Sequence, residues 1–223
     1  MTQTRRAHKL LTTLQLDQVP MFKRSFFFSA CALVLPLCVS AQASTKASSP
    51  PEILPPAIQI ASAIAPLPEQ FKEGATVLGF QGDAKTLVPL RQGDGTYICL
   101  ADDPKEAERY HVACYHKDLE PFMLRGRQLR AEGVTNVDSA RFAEIKSGKL
   151  NMPTHPAALY SLTGKRESLD ASTGLLPNAV PLYVVYIPNA TGESTGLPTK
   201  PGPGPWIMFP GTPKAHIMFT LRM

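Results

Sequence analysis

The chain has 223 residues and carries 23 Lys and Arg against 18 Asp and Glu, a formal charge of +5. Five of those bases (Arg5, Arg6, Lys9, Lys23, Arg24) and one acid, Asp17, fall within residues 1–43, so the remainder holds 18 basic and 17 acidic residues. Nucleic-acid binding requires Lys and Arg clustered well in excess of acids, and a remainder this close to neutral excludes it as the expected partner.

The first element in chain order is a targeting signal. From Met21 the sequence reads MFKRSFFFSACALVLPLCVSAQAS. Lys23 and Arg24 supply a basic start, Phe26 to Val39 an apolar run, and Ala41-Gln42-Ala43 a small-x-small exit. That order predicts a secretory signal peptide cut after Ala43 or Ala41. The run is short of the roughly 20 apolar residues a membrane-spanning helix needs, so no stable membrane insertion is expected after cleavage. Phe28-Ser29-Ala30-Cys31 faintly matches a lipoprotein box but would leave almost no apolar core before its cut. Residues 1–20 add nothing a signal needs, and a start at Met21 would suffice. The expected location is therefore secreted or periplasmic. Residues 44–55, STKASSPPEILP, are polar and proline-rich and read as a flexible tether. Residues 56–223 are long enough for one domain with a proper core.

Proline and glycine punctuate that domain. Pro56-AIQIASAIA reads as a short helix opened by proline in its first turn and stopped before Pro66. Pro68-EQFKEG reads as one or two further turns closed by Gly74. Three strand-like runs follow, ATVLGFQ (75–81), TLVPLR (86–91) and TYICLAD (96–102), separated by turn-forming Gly82–Lys85 and Gln92–Gly95. They predict a three-stranded antiparallel meander. Pro89 requires a bulge or an edge position for the middle strand. From Asp118 to Glu132, Leu119, Phe122, Met123 and Leu129 recur at helical spacing, and Gly133 ends the helix. Arg125, Arg127 and Arg130 lie largely on its other side, as a solvated face or an anion site. A second helix is expected from Asp138 to Lys146, with Gly148 as its cap. The apolar runs 157–163, 181–188, WIMF and AHIMFT complete an α+β domain with a largely antiparallel sheet and a few short helices.

The leader carries Cys31 and Cys38, which leaves Cys99 and Cys114 beyond it. An even pair in an exported chain reads first as a disulfide. A zinc site made of Cys99, Cys114, His111 and His116 is a weaker alternative, because only His111-x4-His116 approaches the usual ligand spacing. No metal and no cofactor is therefore expected.

Three places could carry chemistry. His216 sits at the first position of the last strand, delivered by the Pro210-Gly211-Thr212-Pro213 turn. It reads either as a half-buried histidine bonded to a nearby carbonyl or as a general base. The loop NATGESTGLPTKPGPGP places Glu193, Ser194 and Thr195 between glycines, where hydroxyls and amides could line a pocket. Asn189-Ala190-Thr191 there is also a glycosylation sequon. The third place is the disulfide region, where Asp102, Asp103, His111 and His116 lie close in sequence and a carboxylate beside a histidine can act as an acid/base pair.

TYICLADDP, ACYHKDLEPFM and the terminal PGTPKAHIMF together resemble a group of exported bacterial proteins with no assigned activity, over most of the chain from about Gly74. The resemblance implies export, paired cysteines and a site near the terminal histidine. It lends no catalytic residue. Two functions remain open. One is an exported binding domain for a small molecule or an envelope partner, with His116, Asp102 and Thr195 as binding candidates. The other is a secreted hydrolase with His216 as general base and Ser194 or a bound water as nucleophile, with Glu193 as a further catalytic candidate.

Overall fold

The computed structural model describes residues 53–82 and 86–220, so the expected signal peptide and most of the tether lie outside the described residues. Among them, eight strands form a single sheet. They are β1 (Thr76–Gly79), β2 (Val88–Arg91), β3 (Tyr97–Leu100), β4 (Arg109–His116), β5 (Ala157–Lys165), β6 (Val180–Tyr186), β7 (Trp206–Met208) and β8 (His216–Thr220). The order across the sheet is β2-β1-β3-β4-β5-β6-β8-β7. Every neighbouring pair is antiparallel except β1 and β3, which run parallel. With five α-helices added, this is the α+β class that the apolar patterning predicts, and the sheet dominates it.

The three-stranded meander is not what forms. β3 pairs with β1 rather than with β2. The reason lies in the connection. A methyl group on Gly93 would meet the Gly74 carbonyl oxygen at 2.1 Å, and one on Gly95 would meet it at 2.7 Å. Gly95 N–H donates to that same oxygen at 2.8 Å. Gln92–Gly95 is thus a crossing pressed against the backbone before β1, and it carries the chain past β1 to that strand's far side. Two side chains fasten the crossing. Arg91 donates from Nε to Ala75 O and from Nη2 to Lys72 O, while Thr76 Oγ1 accepts from Gly93 N–H at 3.1 Å. Pro89 meets both conditions its chemistry sets. β2 is an edge strand, and its ladder with β1 slips between Val77 and Leu78, opposite Pro89.

Strict alternation in the strands gives the sheet two buried faces. On one, Val77, Tyr97, Cys99, Ala101 and Cys114 pack with Ala63, Ile60 and Ile64 of α1 (Pro56–Ile64) and with Phe71 of α2 (Glu69–Lys72). On the other, Ile98, Leu100, Tyr115, Ala157, Val184 and Tyr186 pack with Leu119 and with Met123 of α3 (Glu120–Ala131). Gln59 secures α1. Its Nε2 donates to Leu54 O and Phe80 O, and its Oε1 accepts from Phe80 N–H at 2.8 Å, so the amide prolongs β1 beyond its last residue.

α3 begins after a 3-10 turn (Lys117–Leu119) and ends at Gly133, whose φ of 79° suits glycine. α4 (Val137–Lys146) follows, capped by Asn136 and ended near Gly148 at φ 74°. Two of the three arginines on α3 turn out to be fasteners rather than a solvated face. Arg125 pairs with Glu144 of α4 and with Glu132, and Arg127 pairs with Glu120 and donates to Tyr115 Oη. Arg130 is the exposed one. Gly126 makes room for Arg141, which is 5% exposed, stacks 3.7 Å from the Phe122 ring centroid and donates to Phe122 O.

Candidate functional site

The two cysteines are bonded to each other. Cys99 and Cys114 face one another across the β3–β4 ladder with an S–S distance of 2.09 Å, and both are fully buried. A zinc site built on their thiolates is thereby ruled out. His111 is occupied separately. Its Nδ1 lies 2.8 Å from Thr163 Oγ1, its N–H donates to Asp102 Oδ1, and burial followed by the nearby Arg109 charge lowers its pKa.

Asp102 is 8% exposed and forms an ion pair with Arg166. Burial still pushes its carboxyl up to about 6, outweighing the His111 N–H and the guanidinium, both of which favour the anion. Arg166 also donates to the Asp103 and Glu106 carbonyls, so it clips the segment between β3 and β4 onto the end of β5. Asp102 therefore works in a structural clamp.

The hydroxyls of Thr191, Ser194 and Thr195 in the 189–205 loop are spent locally. Residues Gly192–Thr195 form α5, with Thr191 as its cap. Thr191 Oγ1 accepts from Ser194 N–H, Ser194 Oγ accepts from Thr191 N–H and donates to Thr191 O, and Thr195 Oγ1 donates to Thr191 O. Glu193 is exposed. His216 occupies the first position of β8 as expected, but it is 5% exposed. Its Nδ1 lies 2.7 Å from Lys214 O, and its ring packs 4.9 Å from Tyr186 and 5.8 Å from Phe209. Burial lowers its pKa; the Lys214 carbonyl opposes that shift and the Lys214 ammonium adds to it. Among the described residues no hydrogen bond joins His216 to Ser194, Glu193, Asp102 or His116.

One cluster does converge. His116 ends β4, Asp118 lies in the 3-10 turn that follows, and His155 sits two residues before β5. Pairing of Tyr115 with Leu159 puts the end of β4 and the start of β5 at the same rim of the sheet. Asp118 Oδ2 lies 3.5 Å from His116 Nδ1 and 3.0 Å from His155 Nε2. The imidazoles stand edge to face with centroids 5.9 Å apart, and the buried Tyr97 ring also packs edge to face with His116 at 6.0 Å. Asp118 N–H donates to His116 Nδ1 at 3.3 Å. Beside His155 opens a cleft of about 460 Å³ lined by Leu150, Met152, Pro153, Ile187 and Asn189.

His116 carried a recognisable signal in the sequence, whereas Asp118 and His155 did not. His155 is remote in the chain, and only the β4–β5 register brings it near. Two imidazoles and a carboxylate at these distances can hold a cation or accept and donate hydrogen bonds to a polar ligand. No protein-family model, curated protein or solved structure matches this chain.

Proposed function

We propose that this chain is an exported binding domain whose ligand site is the His116–Asp118–His155 cluster together with the adjoining cleft. The observation that carries the reading is the convergence of three polar side chains from two separate segments at one open rim of the sheet. Binding is favoured over hydrolysis because Ser194 is committed to capping α5 and His216 is held against Lys214 O. Export rests on the leader from Met21 and on the resemblance to exported bacterial proteins, and a buried disulfide is compatible with it. Among the described residues no helix is long and apolar enough to cross a membrane.

A thermal-shift screen tests the reading. Wild-type protein and His155→Ala are each melted with a panel of amino acids, small carboxylates, sugars and divalent cations. The expected result is a compound that raises the Tm of the wild type and leaves the variant unmoved. Shifts that persist unchanged in the variant, or a panel that moves neither protein, would overturn it.

A further inference from the structure

We infer that the His116–Asp118–His155 cluster is a binding site for a divalent transition metal of the zinc class, with one coordination position left open. The inference rests on the binding reading above and names the ligand.

Asp102 faces Arg166, Asp138 faces Arg141 and Lys214, Glu144 faces Arg125, and Glu120 faces Arg127. Each of these acids is matched by a permanent cation. Asp118 differs, since both of its ion-pair contacts are imidazoles. An imidazole in its neutral form offers a lone pair, so the three groups together present two nitrogen donors and an anionic oxygen toward one another. A divalent cation satisfies all three at once.

Zinc binds histidine nitrogen and carboxylate oxygen at about 2.0–2.2 Å, which sets neighbouring donors of a tetrahedron roughly 3.3–3.5 Å apart. The two measured edges, 3.5 and 3.0 Å, bracket that spacing, and all three donor atoms lie within 4.8 Å of one another. The third edge, between the two imidazole nitrogens, is already within 4.8 Å, and the half-exposed His155 side chain has solvent beside it into which to adjust. The His116 ring is set in place by Tyr97. Its Nδ1 lies within reach of both Asp118 N–H and Asp118 Oδ2, so the tautomer that accepts from the N–H keeps its lone pair on the Asp118 side. A metal competes with a 3.3 Å hydrogen bond there, which is a weak rival.

Structural zinc sites are closed by four protein donors, while sites that exchange or activate a ligand keep a position open. Here the protein supplies three, beside the cleft of Met152, Pro153 and Ile187. The open position suits water or the carboxylate or imidazole of a small molecule held in that cleft.

The test is a Zn²⁺ titration of the purified protein against a chromophoric chelator, repeated with Co²⁺ to read d–d absorption. The expected result is one ion per chain, with His155→Ala and Asp118→Asn each weakening affinity by more than about tenfold. Both variants should melt with the wild type in EDTA, since His155 is surface-exposed and Asp118→Asn keeps the backbone N–H that bonds His116. No stoichiometric uptake by the wild type, or unchanged uptake by both well-folded variants, overturns the assignment. A non-metal compound that stabilises the protein in EDTA through His155, with no zinc taken up, overturns the metal and leaves the binding reading standing. Failure of zinc and of the whole panel removes both.

Discussion

Replacing Arg166 with alanine isolates the most consequential charge in the fold. In the wild type its guanidinium faces Asp102, whose side chain is 5% exposed, and also donates to the Asp103 and Glu106 carbonyls. Loss of the two carbonyl bonds should cost about 1–2 kcal/mol at any pH, discounted because those acceptors can turn to water. The remainder depends on Asp102. Its folded pKa of about 6 lies above the usual 3.8, so between those values the folded state holds a proton that the unfolded chain has released, and stability falls as pH rises. Without Arg166 the carboxyl rises further, and each added unit costs about 1.4 kcal/mol once the wild-type group is ionised. A rise of about one to two units, the usual effect of an adjacent guanidinium, therefore adds about 1.3–2.3 kcal/mol at pH 8 and almost nothing at about pH 5, where Asp102 is already protonated in both folded proteins. Urea unfolding of the two proteins at both pH values reads the difference directly. The total loss should be about 3–4 kcal/mol at high pH and about half that or less at low pH. An equal loss at both would show that Arg166 does not serve a buried Asp102 charge.

Cys99→Ser should cost about 2–5 kcal/mol, the range for losing a native disulfide, and titration of unreduced, unfolded protein should find neither Cys99 nor Cys114 as a free thiol. His216→Ala should lose roughly 2 kcal/mol or more by chemical denaturation, because it leaves a cavity between Tyr186 and Phe209 and an unpaired Lys214 carbonyl; a loss within about 1 kcal/mol would return His216 to the list of site residues. Because burial lowers the His216 pKa, its wild-type contribution is complete above the ordinary histidine value and fades as pH falls, so the variant should show a flatter acid limb. Gly93→Ala should cost about 3 kcal/mol or more, since the new methyl meets backbone that cannot yield, whereas Gly202→Ala, with open space around it, should stay within about 0.5 kcal/mol.

Local chemistry was legible in the sequence wherever one residue type decides a boundary. Pro56 opens α1, Gly133 and Gly148 follow α3 and α4, and Pro89 marks an edge strand with a register slip. What escaped was decided by contacts between distant segments. The turn-like composition of Gln92–Gly95 is the same for a hairpin and for a crossing, and only the fit of Gly93 and Gly95 against Gly74 separates them. The same holds for the candidate site. His116 stood out beside Cys114, but its partner His155 lies beyond two helices and arrives through strand register alone. Arg125 reads as a surface residue because its main acid, Glu144, belongs to another helix.

The sheet's two rims bear on how this protein behaves in a crowd of unfolded or growing chains. An exposed strand with free amides and carbonyls is a template on which another chain can crystallise its own backbone. At one rim, β2 is four residues long, carries a proline that cannot donate, and is kinked by its register slip. At the other, β7 is three residues long, and its Ile207 N–H is already given to Pro198 O of the preceding loop. Neither rim leaves a long, straight row of vacant hydrogen-bonding groups. Eight strands thus end at both sides without offering a ready template for a ninth, the feature by which sheet proteins avoid edge-to-edge association.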